Sequence, residues 1–480
     1  MIRSYRTTQV TPPKRRRYEL SRFEGVNTTV AEEKLPMRYS PKSYNFSLGK
    51  GVLAPGVGVG KGYIRKNGTS YQIKKRSTTP RFLKFYRYTM HNLTERSEKL
   101  VAYGADGGLY DYTLNAQYPS FGLIGSYGRV LSASPYVYNG SEGLLVSTEY
   151  GLYFLRDYVM TRLSFSEIFT SMCVHNDRVY ATLFLDEYKL CYSDDFDPSN
   201  WNVSLGEGGY ISFGTEMGKI IALRSFGGML YVFFEHGIVR LTAYNDQTEF
   251  RVNKLYLSVG TICKDTIADC GDRLMFRSSE GVFVFDGVSV TKVLSEIEEL
   301  FGDDRDSAHA VFHGGKYYLA CSLAMDSVIA SGTNSLVIYD LWKKSFEIAH
   351  DLTISAMAPL DVETVGGVLA DVSYPEDFLG LIDSSGQIGS TATHKLWTSP
   401  LVTTGSETDR KLLREVRVRS DGAATLGVEL DGVVKTYALS QGLNKIRVMR
   451  SFDKLRFTLS SDEASPRITE TEITVDHFGE

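Results

Sequence analysis

The chain has 480 residues, 42% hydrophobic and 12% aromatic, with 53 Lys+Arg against 57 Asp+Glu and a formal net charge of −4. That length suits two or three domains or one large repeat domain with appendages, and 30 Tyr and 25 Phe beside 44 Gly and only 13 Pro favour strands and tight turns. Five cysteines, none in a C-x-x-C pair, exclude a disulfide framework and a cysteine-based zinc site. No run approaches the ~18 apolar residues that span a bilayer, and the opening MIRSYRTTQV has no apolar signal core. The expectation is therefore a soluble protein made in a reducing cytoplasm, where the glycosylation matches at Asn139 and Asn202 are accidental.

Charge is unevenly spread: residues 1–100 hold 22 Lys+Arg and 6 Asp+Glu, leaving 31 and 51 for the rest. Residues 1–95 lack regular periodicity and suggest an extended basic arm and assembly segment. Its densest cluster is Lys14, Arg15, Arg16 and Arg17. So basic a segment fits either nucleic acid or an acidic surface on a neighbouring subunit or adaptor. With too few apolar positions to offset its ordering entropy, the arm is expected to need a partner surface. The glycine-rich GKGVLAPGVGVGKGY lacks Walker spacing, because Pro55 stands five residues before Gly60 and Lys61 is followed by Gly62.

Residues 96–394 repeat. A short apolar strand beside glycine or a turn recurs around Leu109, Leu152, Leu190, Ile238, Val282, Val337 and Leu381, at intervals of 43, 38, 48, 44, 55 and 44 residues. A second strand with its own turn often precedes the marker, as in NDRVYATLFL at Asn176, GGMLYVFFE at Gly227, GDRLMFRS at Gly271 and GGKYYLACS at Gly314. Four short strands per ~40–50 residues is the spacing of β-propeller blades, each covering its inner face only by packing on the next. Seven markers predict six or seven blades. Within the array, SEIEELF (295–301) predicts a short helix opened by a capping box of Ser295 and Glu298.

The stretch YSDDFDPSNWNVS (192–204) tests for chemistry. Asp197 followed by Pro198 fits a helix N-cap or a turn, and Trp201 then folds back onto apolar neighbours. The EF-hand register is absent, so Asp197, Pro198 and Trp201 are expected to form a structural turn, with Asp194 and Asp195 adding only surface charge. Ser193, Asp195 and Trp201 also resemble the Asp-box of sialidase propellers, which closes a hairpin between outer strands; here Asp197 stands at the glycine position.

After residue 395 long alternating strands joined by SDG and LDG turns predict a C-terminal antiparallel β-sandwich, 395–480, with one wet face. The fold class is therefore all-β. No G-x-S-x-G, H-E-x-x-H or dinucleotide fingerprint occurs. His309 and His313 are helically spaced but run into a strand, so the expectation is no enzyme, no cofactor and no metal.

Three segments, FEGVNTTVAEEKLPMRYSPKSYNFSLGKGVLAPGVGVG, YKLCYSDDFDPSNWNV onward to GVFVFDGVSVTKVLSEIEELF, and KLWTSPLVTTGSETDRKLLREVRVRSDG, together resemble the propeller-bearing tail nozzle and tail-accessory proteins of short-tailed bacteriophages. The resemblance spans roughly residues 20–420. It implies a structural virion protein in a homo-oligomeric ring, hexameric by family pattern, below the portal or adaptor. Such a ring contacts other tail proteins and the passing double-stranded DNA, extends and closes the DNA channel, and supports genome ejection without entering a membrane. A carbohydrate-binding or glycosidase-like tail or baseplate propeller is the alternative, and a nucleic-acid role accounts for the arm alone.

Overall fold

The computed structural model describes residues 12–20, 22–60, 63–66, 69–72, 80–91, 96–113, 120–164, 166–205, 208–243, 249–255, 257, 259–360, 367–404 and 410–478. It is nearly all-β, and helical structure among the described residues is confined to short 3-10 turns. Residues divide into two compact units: 1–58, 346–350 and 383–480 form the first, and 59–345 with 351–382 the second.

The second unit is a propeller of four-stranded antiparallel sheets. The first sheet pairs Phe82–His91, Arg96–Gly104, Gly108–Thr113 and Ser120–Ser126 in consecutive order. The same meander recurs over 130–164, 169–212, 220–255 and 268–293, and again from 309, where the fourth strand, Ser345–His350, falls but for Ser345 in the first unit. The last sheet has six strands: Thr353–Leu360, Gly367–Tyr374 and Phe378–Asp383 are followed in order by Gly58–Gly60, a strand from early in the chain, and then by the short Gln387–Ile388 and Thr391–Ala392. All seven marker residues lie on the third strand of their sheets, where chain reversal makes glycine and turn residues recur.

Each sheet packs on the next and the last returns to the first. Tyr231, Phe233 and Ile238 share a core with Leu274, Phe276 and Phe285. Phe82, Ala102 and Tyr110 pack on Ala356, while the Phe82 amide donates to Asp371 Oδ2 at 2.6 Å. Hydroxyls stitch other joints: Ser147 Oγ accepts from Phe169 N at 2.8 Å, and Ser171 Oγ from Leu223 N at 3.1 Å. Packing face on face around the ring removes the free inner faces that a lone sheet would expose to water.

The propeller sheets thus begin at Phe82, not at residue 96, and also take in residues 58–60, so the segment 1–95 is no single arm. Gly380 shows why the early strand fits: a Cβ there would lie 2.6 Å from Gly60 O. The expected helix is a 3-10 turn, Ser295–Leu300, and its capping box does not form; Leu294 holds the cap position with φ 59° and no side-chain bond. Lys292 pairs instead with Glu298 at 2.5 Å.

The first unit has two sheets facing one core. One runs in the order Lys14–Leu20, Ile468–Phe478, Arg410–Ser420, Gly442–Phe452; the other Lys42–Tyr44, Lys395–Thr398, Leu455–Ser461, Ala424–Leu430, Val433–Leu439. Phe23, Phe46, Trp397, Val416, Leu426, Phe457 and Val475 fill the space between. The LDG turn has φ 52° at Asp431 and 80° at Gly432, the left-handed pair that a tight hairpin requires. Asn45, the asparagine of SYNFSL, is buried at φ 60°. Its Nδ2 donates to His350 O and His394 O, and its Oδ1 accepts from His350 N.

Candidate functional site

The innermost strands of the propeller surround a cavity of about 1540 Å³, to which every sheet or the loop before it contributes wall. This is where a propeller brings distant side chains together. Lys84 on the first strand of the first sheet meets Asp265, on the 3-10 turn before the fifth sheet, at 2.5 Å. Burial alone would lower the Lys84 pKa and raise that of Asp265; the opposite charge across the contact outweighs it, so Lys84 is raised and Asp265 lowered. Both stay charged at neutral pH.

His309 lies beside this pair on the sixth sheet. Its Nδ1 is 3.0 Å from Ser307 O, and a carbonyl can only accept, so Nδ1 carries the proton and Nε2 the lone pair. Burial lowers its pKa and keeps the ring neutral. Arg224, on the fourth sheet, spends its donors on Leu223 O and Ile267 O. Further round the wall Lys219 pairs with Glu187 at 2.6 Å and Arg305 with Asp303 at 3.0 Å. Asp304 holds Arg277, both almost fully buried, and accepts from Ser322 N. The cavity charges therefore neutralise one another, and no described cluster of three or more His, Cys, Asp or Glu could hold a metal ion.

A second cavity of about 780 Å³ opens between the first three sheets, lined by Arg87, Glu98, Tyr136, Val137, Asp177 and Phe196 among others. Phe196 is 65% exposed and sits at φ 60°, with its amide donating to Asp177 O at 3.1 Å. A left-handed aromatic residue is strained backbone that only its surroundings hold.

Phe196 belongs to the 192–204 stretch, which lies between the third and fourth strands of the third sheet. It is a turn and not a helix: Asp197 Oδ1 accepts from Ser199 N at 2.9 Å and Ser199 Oγ at 2.6 Å. Trp201 Nε1 donates to Pro198 O at 2.9 Å, and its ring lies 4.5 Å from that of Phe169. Asp195 is more than surface charge, because it pairs with the buried Arg178 at 2.7 Å while Arg178 Nη1 donates to Ser193 O. His309 and His313 stand on a strand, His309–His313, not on a helix.

Lys14, Arg15, Arg16 and Arg17 lie in the edge strand Lys14–Leu20, paired antiparallel with Ile468–Phe478 of the same chain. Arg15 meets the buried Asp476 at 3.0 Å, with Arg414 on its other oxygen at 2.9 Å, and Arg17 is 3.7 Å from Glu472. The expectation that another molecule must order this segment is thus corrected: the chain's own sheet supplies the burial and the counter-charge. Residues 1–11 lie outside the described residues.

Sequence reasoning missed Lys84, Asp265 and Arg224, which come from different sheets and share no motif, and it met His309 only as the partner of His313. The strand turn at Phe196 carried only its aspartates as a signal.

No family model matches the chain, and no curated protein does. Among solved structures it is similar to the extracellular domain of the putative one-component system BT4673 from B. thetaiotaomicron. That match has 11% identity and a TM-score of 0.44, covering 86% of this chain and 59% of that one. It is also similar to the Neurospora crassa Pan2 WD40 domain, at 11% identity and TM-score 0.38, covering 63% of this chain and 94% of that one. Likenesses at this level carry no argument about function, and the propeller is established by the sheet order and the packing of each sheet on its neighbour.

Proposed function

We propose that the chain is a structural ring subunit of a short-tailed phage tail, in the nozzle or tail-accessory position below the portal or adaptor. In this reading it is a seven-bladed propeller whose last blade takes Gly58–Gly60 as its fourth strand, joined to a β-sandwich that borrows two N-terminal strands. The ring extends and closes the DNA channel during genome storage and ejection.

The observation that carries the reading is the division of charge. The unit built on the two core-facing sheets holds 24 Lys+Arg against 19 Asp+Glu, and the propeller unit 29 against 38. An acidic propeller repels passing phosphates, whereas a basic wall would capture them by counterion release. A basic second unit offers neighbouring acidic propellers a complementary surface. The central cavity of one chain is walled by ion pairs that already neutralise each other, so the DNA path in this reading lies between subunits. Electron microscopy and sedimentation of the purified protein, alone and with portal or adaptor, test it: rings or a co-sedimenting assembly are expected. A monomer indifferent to those partners overturns the proposal.

Phe196, exposed on its own cavity beside Asp177, favours carbohydrate binding as the second reading, because a flat apolar ring with an adjacent carboxylate suits a sugar face and its hydroxyls. Glycan binding lost on Phe196→Ala, or cleavage of a chromogenic glycoside, would favour it.

A further inference from the structure

In the unit built on the two core-facing sheets, the sheet that begins with Lys14–Leu20 ends in a row of basic side chains. Lys14 lies opposite His477, His477 opposite Lys411, and Lys411 opposite Phe452. Residues directly opposite on antiparallel strands point to the same face, with Cβ atoms about 5 Å apart. Alternation along each strand fixes which face this is. Leu413 and Val475, two residues from Lys411 and His477, belong to the core between the sheets, as does Phe452 itself. Lys14, His477 and Lys411 therefore stand side by side on the core side, and Arg16, opposite Val475, follows in the next row.

The two faces of this sheet treat charge in opposite ways. On the outer face Asp476 accepts from both Arg15 and Arg414, and Glu472 lies within ion-pair distance of Arg17 and Arg417. The inner row holds no acid. Lys411 is 1% exposed, and among the described residues its Nζ has neither a hydrogen-bond acceptor nor a carboxylate within ion-pair distance. His477 is equally buried, with Nε2 3.2 Å from the Tyr18 hydroxyl, which holds the ring in place.

A buried ammonium without an acceptor bears its full desolvation cost, and basic groups set directly opposite one another add repulsion. The same unit shows the usual remedy: its other fully buried lysine, Lys395, donates to three carbonyls. Lys411 lacks that remedy and sits among further basic groups, an arrangement that an anion would satisfy. The row also offers an approach, because Lys14 is exposed on the edge strand and opens it, while Lys411 is the second residue of its own strand.

We propose that Lys14, Lys411 and His477 form a binding site for a doubly charged oxyanion, in the simplest case a phosphate group. Lys411 Nζ donates to it from the core side and Lys14 Nζ from the solvent side. Two ammonium groups with a guanidinium in the next row match a dianion with several acceptor oxygens better than a single carboxylate. The site lies within one unit and is independent of the ring reading.

Titration calorimetry of the full chain with inorganic phosphate, at ionic strength held constant with chloride, tests the site. Saturable binding is expected, with a melting temperature that rises with phosphate concentration, and acetate should bind more weakly. Lys411→Met should abolish the binding and melt no lower than wild type in chloride, since it removes a buried charge that has no partner. Lys14→Met, on the exposed edge, should weaken binding about fivefold, the worth of one partly exposed charge, and leave melting in chloride unchanged. Absence of saturable binding in wild type would overturn the proposal, as would equal affinity in wild type and Lys411→Met, which would place the ion elsewhere. Acetate binding as tightly as phosphate would refute the dianion. Binding that appears only after Glu407→Gln, Asp409→Asn would give the site to the chain's own acids and overturn it too. Should Lys411→Met not fold, Lys14→Met decides alone, and unchanged affinity there counts against the site.

Discussion

Lys395 offers a sharp test of the forces that hold the first unit together. Its side chain is fully buried, and Nζ donates to Gly386 O at 3.0 Å, Thr393 O at 2.9 Å and Glu463 O at 2.9 Å, with Thr393 Oγ1 at 3.3 Å. The carbonyls satisfy the three protons, yet burial pushes the pKa down to about 8 from 10.5, against the opposing pull of Asp462 and Glu463. Below pH 8 folded and unfolded chains both carry the proton, and the folded state bears the burial cost. Between pH 8 and 10.5 the unfolded chain binds a proton that the folded chain does not, so stability rises with pH, by about 3 kcal/mol over the window at ~1.4 kcal/mol per pH unit.

Lys395→Met removes that term and leaves Thr393 O and Glu463 O without this donor, at about 1–3 kcal/mol each; Gly386 O keeps the Thr393 amide and hydroxyl. At pH 7 the two effects nearly offset. At pH 10.5 only the loss remains, so the destabilisation by Lys395→Met should grow by about 3 kcal/mol between pH 7 and pH 10.5. Denaturant unfolding followed by the fluorescence of Trp397, fully buried two residues away, reads this directly. Titrations elsewhere cancel in the difference between wild type and variant. A pH-independent difference would refute the reasoning.

Other substitutions probe the propeller and the terminal strand. Trp201→Ala should cost about 2 kcal/mol, short of the 3–5 of a fully buried ring because Trp201 is only half-buried, and Asp195→Asn should cost a similar amount by leaving Arg178 buried without its counter-charge; chemical denaturation separates both from a near-neutral Asp194→Asn. Arg277→Met should cost about 3–5 kcal/mol by stranding the buried Asp304, and adding Asp304→Leu should recover part of it, a coupling that a double-mutant cycle measures. Gly380→Ala should lower stability by about 1–3 kcal/mol through the clash with Gly60 O, seen as a lower melting temperature, whereas Gly314→Ala, with open space around its Cβ, tests left-handed backbone strain alone. Asp476, whose burial is outweighed by Arg15 and Arg414, has a lowered pKa; its stabilisation is present above the unfolded value near 3.8 and is lost as pH falls below it, and acid unfolding of Arg15→Gln should begin at higher pH than wild type.

Local pattern carried the propeller. Strand periodicity and turn chemistry act over a few residues, so the recurrence around Leu109, Leu152, Leu190, Ile238, Val282, Val337 and Leu381 was legible, and each marker stands on a third strand. The aspartate-rich stretch was likewise legible as a turn, because Asp197 bonds its own neighbours. What the sequence could not show was pairing across hundreds of residues. Lys14–Leu20 looks like a loose basic arm until Ile468–Phe478 lies beside it, and Gly58–Gly60 looks like a glycine-rich linker until Phe378–Asp383 supplies its neighbour. The partners of such strands are chosen by chain closure and packing, to which composition is blind. The same holds for Lys84, Asp265 and His309: each is an ordinary residue in its own segment, and only the ring, by bringing innermost strands to a common axis, makes them neighbours.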